Sequence, residues 1–173
     1  MKKLILFFIA TSFSVFSEEK IELERDLIVQ AVRQNVFVQG DDEMVLLNDI
    51  TYLWDESGQD LVAILAESNS IDKSLAQNFV ELNDTPIELK DYRDFSIKVI
   101  DSSSLSMDKI FEDVNINSFF QCSRVAFNDD STMGLMAFKK YFGRHVTGGY
   151  LIFERIGFTW ACRVIDDAPS IGS

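Results

Sequence analysis

Apolar residues recur three and four apart at Leu23, Leu27, Ile28, Ala31 and Val32, a spacing that predicts an amphipathic helix from Glu22 to Gln34. Gly40-Asp41-Asp42 breaks that periodicity, and the apolar run from Met44 to Ile50 reads as a strand. Ser57-Gly58 marks a turn, and Leu61 to Ala66 fits either a helix or a strand. Asp72 can open a helix that runs to Leu82 and buries Leu75, Phe79 and Leu82. Asn83-Asp84-Thr85-Pro86 then supplies strong turn chemistry. Asp94 to Ile100 reads as a strand, and Ser106 can cap a short helix from Met107 to Glu112.

The rest of the chain carries β patterning. Phe119 to Asn128 predicts a strand closed by the Asp129-Asp130-Ser131 turn, with Met133 to Phe142 pairing back against it. Gly143 to Gly149 reads as a loop, Tyr150 to Arg155 as a strand, and Gly157 as a tight turn. In the last segment Phe158, Trp160, Cys162 and Val164 alternate with Thr159, Ala161 and Arg163, which turns one face toward a core. Helices come early and strands late. The expected class is α+β: an antiparallel sheet, mostly from the C-terminal half, packed on one face by helices from the N-terminal half.

Polarity at the N-terminus changes the picture of the mature chain. Met1-Lys2-Lys3 is positive, Leu4 to Phe16 is uncharged and mostly apolar, and Ser17 is a small residue just before Glu18-Glu19. That order predicts a secretory signal peptide over residues 1–17, hence a secreted or periplasmic protein with one domain over 18–173. The apolar run falls short of the ~20 residues a bilayer span takes, and no later segment reaches that length. Removing the leader takes two of the 16 basic residues and none of the 28 acidic ones, which leaves 14 against 28 and a net charge of −14. So acidic a chain repels phosphate backbones and anionic lipid, so neither nucleic acid nor a membrane is expected as partner.

The two cysteines, Cys122 and Cys162, survive that processing, and an even count in an exported chain predicts a disulfide. Closing a loop of about 41 residues would stabilise by about 4 kcal/mol on the chain-entropy account. Two buried free thiols are the alternative. His145, the only histidine, sits among glycines, and with a hydroxyl and a carboxylate it could serve a hydrolase. No Gly-x-Ser-x-Gly elbow accompanies it. Arg144 with the amides of Gly148 and Gly149 could bind a carboxylate or phosphate, since glycine permits close backbone approach. The acidic clusters at Asp41, Asp129 and Asp166 match no EF-hand loop and read as solvated turns. One histidine and two cysteines do not make a zinc site, and no cofactor is expected. Phe119, Phe120, Phe138, Tyr141, Phe142, Tyr150 and Phe153 make the late strands aromatic, either as core or, where exposed on the outer sheet face, as a recognition patch.

Ser123-Arg124-Val125-Ala126-Phe127-Asn128, Met133 to Phe138, Gly148-Gly149-Tyr150-Leu151-Ile152-Phe153-Glu154 and Gly157 with Trp160 follow in one order. That succession resembles a loosely defined group of uncharacterised bacterial exported proteins with a Ser-x-Val-Gly-Phe-Asn strand, a Gly-rich connection and a closing Gly-x-x-Trp strand. Ala126 here takes the place of the Gly. The resemblance implies the fold and export, and no activity. The functional expectation is a non-catalytic binding or interaction module for a protein or small molecule. The alternatives are a hydrolase using His145 and a structural component of a cell-envelope assembly.

Overall fold

The computed structural model describes residues 19–34, 44–47, 61–67, 71–84, 97–100, 118–142 and 145–165. The leader, Arg144 and the expected helix from Met107 to Glu112 lie outside them. Helix α1 covers 19–34, and its stripe buries Leu27, Ile28, Ala31 and Val32 as the spacing predicts. Strand β1 (Met44–Leu47) is followed by α2 (Leu61–Glu67), which settles the ambiguous segment as a helix, and by α3 (Lys73–Leu82). Asp72 caps α3: its Oδ1 accepts from Leu75 N at 2.7 Å. The remaining strands are β2 (Ile97–Ile100), β3 (Ser118–Cys122), β4 (Ala126–Phe127), β5 (Met133–Phe142), β6 (His145–Ile156) and β7 (Thr159–Val164).

The strands form one sheet in the order β2-β1-β3-β5-β6-β7, with β4 also on β5. Its bulk is antiparallel and comes from the C-terminal half, and the chain is α+β. β1 adds parallel to both β2 and β3, so the sheet is mixed at that end. The expectation of helices on one face is corrected. Met136, Phe138, Leu151 and Phe153 pack with α1, whereas Leu135, Ala137, Tyr150 and Ile152 pack with residues of α2 and α3. Both faces of the sheet are covered at residues 135–138 and 150–153, which explains why those stretches are apolar without interruption rather than alternating. Phe120, Phe138, Tyr150 and Phe153 are accordingly core: Phe120 stacks on Phe138 at 5.6 Å on the α1 side, and Phe79 meets Tyr150 edge-on at 6.1 Å on the other. Among the described residues no helix is long and apolar enough to cross a membrane.

Cys122 and Cys162 are both free, which corrects the expected disulfide. β5 and β6 stand between β3 and β7. Three strand spacings put the two Cα atoms roughly 14 Å or more apart, against at most about 7 Å for a bridge. Burial raises the Cys162 thiol from 9.0 to about 11. Burial, with the Glu24 carboxylate adding to it, raises the Cys122 thiol further still. The last strand also buries less than its alternation predicts. Trp160 and Cys162 are half-buried, Val164 is exposed, and Phe158 projects wholly into solvent from the Gly157 turn, where φ is +64°.

Candidate functional site

The segment from Cys122 to Phe127 reads as one strand in the sequence, and the structure interrupts it. Cys122 stands opposite Phe138 and Ala126 opposite Leu135, so four steps on one side face three on the other. One extra residue makes a β-bulge at 123–125. Ser123 repairs the ladder with its side chain: Ser123 N donates to Ala137 O, and Ala137 N donates to Ser123 Oγ, each at 2.9 Å. The same hydroxyl donates to Arg124 O at 2.9 Å.

The other bulge amides are taken by residues far away in sequence. Arg124 N donates to Asn83 Oδ1 at 2.9 Å, and Asn83, the buried C-cap of α3, donates from Nδ2 to Phe79 O at 2.9 Å. Val125 N donates to Glu24 Oε1 of α1 at 3.1 Å. Glu24 also receives the Arg124 guanidinium as a fork, Nε to Oε1 at 3.1 Å and Nη2 to Oε2 at 3.0 Å. Glu24 is only 3% exposed, a depth at which a carboxylate needs such partners. Helix side chains also cap one carbonyl on each of two strand edges: Asn78 Nδ2 donates to Phe127 O at 2.9 Å, and Gln30 Nε2 to Trp160 O at 3.1 Å.

Because α1 lies on one face of the sheet and α3 on the other, a slot opens between them along the β4 edge. This groove holds about 600 Å3. Lys20, Ile21 and Glu24 form the α1 wall; Asn78, Glu81 and Leu82 form the α3 wall; the bulge residues and β4 form the floor. Its lining is mixed: apolar side chains from both walls, a cation and an anion at Lys20 and Glu81, and the Glu24–Arg124 pair at the base.

Of the residues singled out from sequence, His145, Gly148 and Gly149 lie elsewhere. His145 is exposed at the start of β6, opposite Phe142. That is seven residues along β5 from Leu135, roughly 23 Å from the groove floor. Gly148 and Gly149 are not in a loop but in β6, opposite Lys139 and Phe138. Tyr150 O accepts from Ile165 N, so Tyr150 faces β7, Gly149 faces β5 and Gly148 faces the β7 side again. Two amides aimed at opposite edges do not converge on an anion. The Asp129-Asp130 cluster is a turn, in which Asp130 Oδ1 accepts from the Thr132 hydroxyl at 2.6 Å and from its amide at 3.2 Å. These bonds hold the Asp130 carboxyl below its ordinary range.

Sequence reasoning missed Glu24, Asn83 and Arg124. Two signals were present: a carboxylate on the stripe that continues through Leu27, Ile28 and Ala31, and an arginine inside an apolar strand. Each was an anomaly by itself, and only the fold makes them partners. Comparison with protein-family models, curated proteins and solved structures returned no match.

Proposed function

We propose that this protein is an exported, non-catalytic binding module whose ligand site is the groove between α1 and α3. The observation that carries the reading is the groove itself, at about 600 Å3 within the range of small-molecule sites. Its floor is a bulge, a device common beside functional sites, and Glu24 of α1, Asn83 at the end of α3 and the bulge's own Ser123 hold it in shape. Apolar walls with a few placed polar groups suit a ligand with an apolar body and a polar end. Export rests on the leader, whose removal puts the new N-terminus beside α1.

The test uses the full chain, expressed with residues 1–17 and purified from the exported fraction, where intact mass should place the first residue at Glu18. Amide spectra recorded against a fragment library should then show shifts clustered at residues 20–24, 78–82 and 124–127. Ile21→Glu and Leu82→Glu should remove the response without unfolding the protein. Fragments that cluster at another surface, or no response at all, would overturn the reading.

A further inference from the structure

The backbone of β4 has a direction that bears on what the groove holds. Asn128 N donates to Met133 O at 3.1 Å, so Asn128 faces β5. Phe127 O accepts from Asn78 instead, so Phe127 faces the opposite way. In extended backbone the N–H and C=O of one residue share a side. The Phe127 N–H is therefore aimed out of the sheet, into the groove that Phe127 and Asn78 both line. Asn78 donates through Nδ2, which leaves Oδ1 as the acceptor of a side chain that lines the groove. An N–H donor with an amide acceptor beside it complements a peptide unit.

The walls agree with that reading. A segment lying alongside β4 continues the plane of the sheet, so its side chains alternate between the two faces. One set meets α1, with Ile21, which is 56% exposed, and Lys20. The other meets α3, with Leu82 and Glu81. The two walls thus carry opposite charges beside equivalent apolar contacts.

We propose that the groove binds an extended peptide segment of a partner protein by strand addition to β4, with an acidic and an apolar side chain toward α1 and a basic and an apolar side chain toward α3. This rests on the groove being the ligand site. The Phe127 N–H fixes the register by one backbone hydrogen bond, since Asn78 already caps the Phe127 carbonyl, and the alternating side chains supply adhesion and selectivity. Glu24 and Asn83 already hold the Val125 and Arg124 amides, so Phe127 is the position where pairing is open.

The experiment selects a displayed library of random eight-residue peptides on the full exported chain and resynthesises the best binder. Enriched peptides should place acidic residues on one alternating set of positions and basic residues on the other. Selection on Lys20→Glu should replace the acidic preference by a basic one; Lys20 is exposed, so this variant should fold as the parent does. N-methylation along the binder should weaken binding by about tenfold or more at the one nitrogen that faces Asn78 Oδ1 and little at the others, because Asn78 already caps the Phe127 carbonyl and β4 turns no other residue outward. Enrichment with helical three-and-four spacing, uniform tolerance of N-methylation, or no enrichment would each overturn strand addition. A binder with no sensitive nitrogen that still loses affinity on Ile21→Glu would spare the groove as a ligand site and reject only this mode. A binder indifferent to both Ile21→Glu and Leu82→Glu would reject both. Enrichment of a segment of this chain itself would replace the partner protein by a second copy.

Discussion

Replacing Glu24 by Ala tests the joint that holds α1 to the bulge. Val125 is 1% exposed, and its N–H would lose its acceptor, a loss worth about 1–3 kcal/mol. Arg124 would lose a two-point partner. Breaking a buried pair costs about 3–5 kcal/mol, but the Arg124 side chain is 25% exposed and water recovers part of that. The two contributions overlap, and together they come to about 2–4 kcal/mol. At a urea slope of about 2 kcal/mol per molar, the unfolding midpoint should fall by about 1–2 M. Glu24→Gln keeps an acceptor for Val125 and should cost less than Glu24→Ala. The pair Glu24→Leu with Arg124→Leu should cost less than the two single changes added together, by at least 0.5 kcal/mol, because neither variant partner then leaves a charge behind. Equilibrium urea denaturation followed by tryptophan fluorescence and far-ultraviolet dichroism measures the parent and all five variants. A Glu24→Ala midpoint within about 0.3 M of the parent would refute the reasoning, since it would mean that α1 does not depend on this contact.

Four further outcomes follow from other parts of the fold. Thiol labelling of the unfolded, unreduced protein should modify both Cys122 and Cys162, whereas the folded protein at pH 8 should react slowly, since burial keeps both thiols protonated. Both thiols titrate above 9.0 in the folded state, Cys162 at about 11, so the unfolded chain ionises first and stability should fall as pH rises from 9 toward 11; urea midpoints should show a smaller fall in a Cys122→Ala, Cys162→Ala protein. Gly134→Ala should lower stability by about 1–2 kcal/mol in the same denaturation assay, because the new Cβ would sit 3.0 Å from Val125 Cγ1 in a packed layer. Asp72→Ala should cost about 1 kcal/mol through loss of the α3 cap, while Phe158→Ser, at a side chain 101% exposed, should stay within about 0.5 kcal/mol of the parent.

Local patterns and long-range pairings were not equally legible in this chain. The α1 stripe, the Asp72 cap and the bounds of β5 follow from the sequence, because each depends on neighbours a few residues away. The α+β class follows too, from the succession of those elements. β6 was expected to start five residues later, because glycines suggest a loop; pairing with β5 extends it back to His145. The two-sided covering of the sheet was written in the unbroken apolar runs of Met133 to Phe138 and Tyr150 to Phe153, yet which helix lies on which face is a property of packing.

The site belongs to the second kind. Cys122 and Cys162 look like partners by count, but two strands keep them apart, and count carries no information about strand order. Glu24 and Arg124 lie 100 residues apart, and nothing between them encodes the meeting. One extra residue in β3–β4 turns amides out of the ladder, and a buried amide without a partner is costly, so Glu24 and Asn83 are drawn to that point. The sequence alone determined the α1 stripe, the α3 cap and the bounds of β5, and supplied the pattern of a leader. Only the tertiary structure decided that α1 and α3 flank one sheet edge, because a groove exists between surfaces and not along a chain.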